Sequence, residues 1–253
     1  MSKRNTQQRR RNIVSLVNEQ GEASVELLAQ TFETSEVTIR KDLTELERSG
    51  LLLRRFGGAV SVPQEFVTDQ PVSAAKEAIG QMAASLIGEH QRVVIDSGRT
   101  TAAMIPHLEH KEGLVVMTNS LNVANAIHAL EKAPTLLMTG GTWDPHSEAF
   151  QGRVAEQVLR SYNFDQLFIG ADGIDIERGS TTFNELIGLS KVMADVSRDV
   201  VVMVESDKIG RKMPNLELDW SQISAVITDS HLSQSQAKAI EAAGVRLYVA
   251  PID

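Results

Sequence analysis

The chain contains no cysteine. That absence excludes a disulfide framework, a thiolate nucleophile and any Cys-based metal site. Nor is there an apolar run near the roughly 20 residues needed to span a bilayer. The charged start, MSKRNTQQRRRN, is not followed by the apolar stretch of a signal peptide. These absences point to a soluble, cytoplasmic protein with no membrane partner. The sequence also lacks a His-Glu-x-x-His pair, a Gly-x-Ser-x-Gly elbow, a phosphate-binding P-loop and a dinucleotide glycine fingerprint. Its six histidines are His90, His107, His110, His128, His146 and His231. His107 and His110 stand at i, i+3 spacing and read as a surface pair near a helix end, so neither a metal nor another cofactor is called for. Positive charge is in short supply overall, with 25 Lys and Arg against 33 Asp and Glu and a net charge of -8.

The charge is unevenly spread. Residues 1–62 hold 10 Lys and Arg against 8 Asp and Glu, and the remainder 15 against 25, so the basic surplus sits at one end. A chain of 253 residues has room for two modest domains. In the basic end, Ile13, Leu16 and Val17 follow helical spacing, with Gly21 as a stop. Ser24 is placed to cap a second helix with Glu26 in its first turn and Leu27, Leu28 and Phe32 on its buried side. Ser35 is placed to cap a third, whose Ile39, Leu43 and Leu46 fall at i, i+4, i+7 before Gly50. Three short helices with tight connections make a helix-turn-helix candidate.

With those apolar residues inward, Thr38, Lys41 and Thr44 face outward with Arg40 at the flank. That set suits a major groove, since arginine offers two parallel hydrogen bonds to a guanine edge and Lys or Thr reaches phosphates and bases. LLLRRFGGAVSV then reads as two strands around Gly57-Gly58, a hairpin carrying Arg54 and Arg55 along a DNA backbone. The competing reading is a solvated helix face, with Glu36, Asp42, Glu45 and Glu47 paired to the cations at i, i+4. The agreement of helix order, caps, hairpin and basic start favours a DNA-reading module.

Arg9 with Ile13 or Val17, then Ser35, Thr38, Ile39, Arg40, Lys41, Asp42 and Leu43, resembles the signature of the DeoR-type bacterial repressors of sugar metabolism. The resemblance implies a winged helix whose third helix reads double-stranded operator DNA. The expected division is a winged helix-turn-helix over 1–60, a linker over 61–72 that contains two prolines, and an α/β domain over 73–253.

Beyond the linker, Ile79, Met82, Ala83, Leu86 and Ile87 mark a helix. RVVID, LVVMTN, TLLMTGG, QLFIGADG, DVVVMVES, SAVITD and RLYVA are short apolar strands separated mostly by helix-like segments, which predicts a largely parallel sheet covered on both faces. Ligands of such sheets gather where strands end in loops. The strand ends repeat one polar, glycine-bearing chemistry: Asp96, Ser97, Gly98, Arg99, Thr100 and Thr101; Thr118 and Asn119; Thr139, Gly140 and Gly141; and Gly170 to Gly173, which includes Asp172. In the first, Gly98 lets the backbone turn while Thr100 and Thr101 bring hydroxyls and amides to the next helix start, an arrangement suited to phosphate. Lys208 follows a strand and is placed to meet an anion, and Glu185 lies in TTFNELIGLSK.

This half resembles the family's sensor domain, which is related to ribose-5-phosphate isomerase folds and binds phosphorylated sugars. DSGRTT resembles the family's Asp-x-Gly-(Ser/Thr)-Thr phosphate loop, MTNSL its Thr-Asn strand end, and SDKIGRK its Ser-x-Lys-(Phe/Tyr)-Gly segment. Arg99 stands where a small hydroxylic residue is usual, and Ile209 replaces an aromatic. TTFNE, MTNSL and GRKMPN look most like the repressors of glucitol (sorbitol) operons. An isomerase reading would offer Asp172, Asp175, Glu185 and Lys191 as proton-transfer groups. The second acidic residue of the isomerase GADE pattern is Gly173 here, which favours a binding site without catalytic residues. The resulting expectation is a homo-oligomeric repressor, dimer or tetramer, released from operator DNA by a phosphorylated sugar or polyol such as glucitol 6-phosphate.

Overall fold

The computed structural model describes residues 3–20, 22–48, 51–55, 57–60, 72–145, 147–184 and 187–252. The chain forms two compact units, residues 1–70 and 71–253.

The first unit runs α1 (Lys3–Gln20), β1 (Glu22–Ser24), α2 (Val25–Thr31), α3 (Glu36–Arg48), β2 (Leu53–Arg55) and β3 (Gly58–Val60). Its core joins Ile13 and Val17 of α1, Val25 and Leu28 of α2, Ile39, Leu43 and Leu46 of α3, and Leu52 and Ala59 of the wing. The helical spacing of these apolar residues therefore does set which face each helix buries. Ser24 caps α2 as expected, its Oγ accepting from Leu27 N at 3.1 Å. Leu27 departs from expectation at 40% exposure, because Leu28 takes the inward position. The α2–α3 turn is closed by Phe32 N donating to Leu28 O and Thr34 N to Ala29 O, both at 3.0 Å. The wing pairs Arg55 with Gly58, so Gly57, at φ 82°, sits in the loop and Gly58 opens β3. A third strand not foreseen, β1, pairs antiparallel with β3. Gly21, Gly50 and the prolines of the linker lie outside the described residues.

The second unit begins with α4 (Ala74–Ser85) and alternates strands with helices: β4 (Arg92–Ile95), α5 (Arg99–Ala102), β5 (Val115–Thr118), α6 (Leu121–His128) and β6 (Thr135–Met138). It continues through a hairpin, β7 (Thr142–Asp144) and β8 (Ala149–Gln151), then α7 (Arg153–Leu159) and β9 (Phe164–Gly170). After β10 (Gly173–Asp175) and β11 (Gly179–Thr182) come α8 (Gly188–Asp195), β12 (Ser197–Met203) and β13 (Asn215–Asp219). The last elements are β14 (Ala225–Asp229), α9 (Gln234–Ala242) and β15 (Arg246–Ala250).

Seven strands form one sheet in the order β15-β14-β12-β9-β4-β5-β6, with every neighbouring pair parallel. Alternate side chains divide between its faces. Val94, Leu167, Val202 and Val226 pack with residues of α7, α8 and α9. Val93, Phe168, Met203 and Ile227 pack with residues of α4, α6 and the turn at Ile105–Leu108. Burial on both faces explains why these strands read as unbroken apolar runs. The chain lays β4, β5 and β6 outward in one direction, then returns to place β9 on the other side of β4. This reversal puts the switch point between β4 and β9, at their carboxyl ends. A smaller antiparallel sheet, β10-β11-β13, follows β9. No helix among the described residues is long and apolar enough to cross a membrane.

Candidate functional site

On α3 the polar face is exposed as its spacing requires. Ser35 Oγ accepts from Thr38 N at 3.3 Å and meets Thr38 Oγ1 at 2.9 Å, capping the helix start. Arg40 is half exposed and bonds Glu36 at 2.9 Å, one turn back. Lys41 is exposed, and Thr44 donates to Arg40 O at 2.8 Å while accepting from Arg54 of the wing at 3.1 Å. Arg54 is held further by its backbone N–H on Glu47 at 3.1 Å. The third helix and the wing are thereby joined through Thr44. Arg55 lies in β2, with its side chain outside the described residues. Val37 on the same helix is 63% exposed, an apolar surface that the sequence reading did not single out.

Two cations of the basic start have a different role. Arg9 Nε and Arg10 Nε hold the two oxygens of Asp42 at 2.7 and 2.8 Å, and Asp42 is only 2% exposed. They fix α1 to α3, and Asp42 is not the helix-surface partner that i, i+4 spacing suggested. The pairing crosses more than thirty residues, so no local pattern reveals it.

In the second unit, the polar loops follow the carboxyl ends of β4, β5, β6, β9 and β12. Asp96 N donates to Phe168 O at 3.0 Å, which joins the first loop to β9 across the switch point. Asp96 accepts from Asn119 Nδ2 at 2.8 Å. Burial raises the Asp96 carboxyl above its ordinary range, although Ser97 and Asn119 bonds oppose the shift. Gly98 has φ 135°, a conformation that favours glycine, and Ser97 and Arg99 flank it partly buried. Thr100 is nearly buried as the loop enters α5. Lys208, 4% exposed, reaches Ala171 O at 3.3 Å, next to Asp172. Asp172 is oriented by Thr182 Oγ1 at 2.7 Å and Phe183 N at 3.2 Å.

Some residues expected to meet a ligand also shape the loops. The Thr101 hydroxyl, fully buried, donates to Asp96 O and Gly98 O at 2.8 and 2.9 Å. Thr118 Oγ1 accepts from Ser120 N at 3.1 Å. Gly140 has φ 60°, and a side chain on Gly141 would strike Gln151 O. Glu185 lies outside the described residues. Of the other groups offered for isomerase chemistry, Lys191 is exposed, and Asp175 accepts from Glu177 N at 3.0 Å and pairs with Lys212 at 3.5 Å. Among the described residues no group of three His, Cys, Asp or Glu is placed to hold a metal ion. His107 meets Glu77 at 3.0 Å on the surface.

Two carboxylates escaped sequence reasoning. Glu205 follows β12 and bonds both Lys76 (2.7 Å) and Ser73 (2.8 Å) of the α4 start. Glu217 on β13, 9% exposed, accepts from Ser190 at 2.7 Å. Burial pushes it up to about 8, against the Ser190 bond and with the charges of Asp96 and Asp172 adding to the rise.

A winged helix with an exposed polar reading face, joined in one chain to a parallel α/β unit with polar loops at its switch point, defines a two-part regulator. Two family models match: the DeoR-like helix-turn-helix domain over residues 9–65 and the DeoR C terminal sensor domain over 72–230. The chain belongs to the DeoR family of transcriptional regulators. It is 30% identical over 234 residues to the transcriptional repressor AccR of Agrobacterium fabrum, covering 89% of this chain and 90% of that one. It is 31% identical over 239 residues to the L-fucose operon activator of Haemophilus influenzae, covering 90% and 94%. A ribose 5-phosphate isomerase A from Methanocaldococcus jannaschii shares 17% identity at a TM-score of 0.39, over 53% of each chain.

Proposed function

We propose that the protein is a homo-oligomeric repressor of a sugar or polyol catabolic operon, and that a phosphorylated sugar or polyol bound at the switch point of the second unit weakens its hold on operator DNA. The observation that carries this reading is the placement of the Asp96–Thr100 loop beside the Asp172 loop, where β4 and β9 diverge. Parallel α/β sheets bind their ligands at such crevices. The Gly98 loop and the buried Lys208 ammonium supply the phosphate chemistry, while Asp96, Asn119 and Asp172 face the carbon chain. Ser35, Thr38, Arg40, Lys41 and Thr44 form the reader, and Arg54 and Arg55 the backbone-contacting wing. Oligomerisation places two such heads on repeated half-sites and multiplies the affinity of one small module. Glucitol 6-phosphate is the narrower candidate, supported by the TTFNE, MTNSL and GRKMPN segments.

The test is a thermal-shift screen of the whole protein against phosphorylated and unphosphorylated sugars and polyols, because a ligand that prefers the native state raises its melting temperature. A hit confined to one phosphate ester, which also releases operator DNA, supports the reading. A panel without a hit, or a hit that leaves DNA binding unchanged, removes the sensor role.

A further inference from the structure

The bulge in the small sheet sets one side chain apart. Ser180 opposes Leu218 while Thr181 opposes Leu216, so Glu217 is the extra residue of β13 at that irregularity. Bulges of this kind re-aim a side chain and recur beside functional sites. Glu217 Oε1 is held by Ser190 of α8, and its second oxygen makes no hydrogen bond among the described residues. Glu217 stands two residues along β13 from Asn215, which opposes Thr182, and Thr182 Oγ1 bonds Asp172 at 2.7 Å; the charges of Asp96 and Asp172 oppose its ionisation. These acids are nevertheless not grouped to share a metal ion. A second observation comes from Asn119, which is 1% exposed. Its Nδ2 is fixed on Asp96, yet its Oδ1 has no hydrogen-bond partner among the described residues. A buried amide oxygen without a donor is costly and is normally satisfied in the working state.

We propose that Glu217 is a specificity residue of the pocket, which together with Asn119 Oδ1 receives the hydroxyl groups of the effector's carbon chain while the Gly98 loop and Lys208 hold its phosphate. The inference rests on the sensor reading above and adds to it a residue that reads the hydroxyl groups of the ester. A carboxyl pushed up to about 8 is protonated at neutral pH and donates from its second oxygen, where an ionised one only accepts. Asn119 Oδ1 accepts from a neighbouring hydroxyl. Of the charged groups on the surrounding elements, Asp96 and Asp172 act on Glu217, Lys191 of α8 acts on Asp219 instead, and β11 carries none.

The experiment is calorimetric titration of the full chain and its E217A and E217Q variants with inorganic phosphate and with a panel of hexose and hexitol 6-phosphates, at pH 7 and pH 9. At pH 7 the wild type is expected to bind an ester more tightly than inorganic phosphate. E217A should lose at least tenfold of that preference with its affinity for inorganic phosphate unchanged, and E217Q, whose amide still donates, should stay within twofold of the wild type. Between pH 7 and 9 the preference should fall in the wild type and hold in E217Q. That comparison needs only the isosteric variant, so it decides the matter even if E217A does not fold. A preference in E217A within twofold of the wild type, an equal loss for inorganic phosphate and ester, or parallel pH profiles of wild type and E217Q overturns the proposal. Failure of the wild type to bind any phosphate ester overturns the sensor reading itself, and is seen before any variant is compared.

Discussion

Under the proposed function, Arg40 is a single side chain that serves two states. Its contact with Glu36 is an exposed i, i+4 pair, of a kind worth about 0.3–0.5 kcal/mol. It is cheaply exchanged for a base edge. Arg40→Ala should therefore leave folding nearly unchanged and remove about 1–3 kcal/mol of specific operator binding; equal operator affinity in a quantitative gel-shift series would take Arg40 out of the reader. Arg54→Ala should behave differently, weakening all DNA sequences alike and lowering the salt slope by about one. A loss confined to the operator would contradict the backbone-contacting role. Those cations were legible because they sit on a periodic helix and a turn-marked hairpin. Arg9 and Arg10 look equally basic in the sequence, yet they are committed to Asp42. Glu217 gave no signal either, since its environment is assembled from β4, β9 and α8. Its pKa is raised on folding, so the stabilising contribution is full below the ordinary glutamate range near 4.5 and is lost as pH climbs toward about 8. A tenfold change in a carboxyl's acidity between the folded and unfolded chain corresponds to about 1.4 kcal/mol of stability. Glu217→Gln should accordingly raise the melting temperature more at pH 8.5 than at pH 5 when no ligand is present, and an equal change at both values would mean that the carboxyl is not protonated in the fold.

At the scale of elements, the seven parallel strands and the wing hairpin of β2 and β3 were readable, and the other small antiparallel strands were not. Strands buried on both faces must be continuous apolar runs of Val, Ile and Leu, as VVI, LFI and VVVM are. By contrast β10, β11 and β13 are GID, GSTT and NLELD, carrying no alternation strong enough to separate them from loop. β1, EAS, is equally short and is defined only by its partner β3. Helices were recognised by caps as much as by period, with Ser24 and Ser35 each accepting a first-turn N–H. What periodicity misses is the distance of approach between elements. Gly80 in α4 lies so close to the Ala103 backbone that a Cβ would come within 2.5 Å of its carbonyl carbon. Gly80→Ala forces α4 away from that contact, and overpacking of this kind costs about 1–3 kcal/mol. A drop of several degrees in the melting temperature of the second unit is expected, and an unchanged melt would show that α4 shifts freely over the turn after α5.

On the scale of the whole molecule, the family signature and the order of strands support the proposed effector site, and a relay of its state within the second unit would run through contacts that neither motif nor period displays. The first helix of the second unit is tied by Ser73 and Lys76 to Glu205, which precedes Lys208 by three residues. Burial works to raise the Glu205 carboxyl, yet the bonds from Lys76 and Ser73 and the charges of Lys76 and Lys208 outweigh it and hold it below its ordinary value. Under the proposed function, a ligand that draws Lys208 toward its phosphate alters the field at Glu205, which anchors the start of α4. Coupling of this kind must be reciprocal: if ligand weakens operator binding by some factor, operator weakens ligand binding by the same factor. Glu205→Gln keeps the shape and a hydrogen bond to Ser73 while removing the charge that senses Lys208. The expected result is a variant with near-normal operator affinity and near-normal ligand affinity, in which the ratio of ligand affinities measured with and without operator moves toward one. A ratio equal to that of the wild type would place the relay elsewhere, whereas loss of ligand binding itself would make Glu205 a support of the pocket and not a link in its signal.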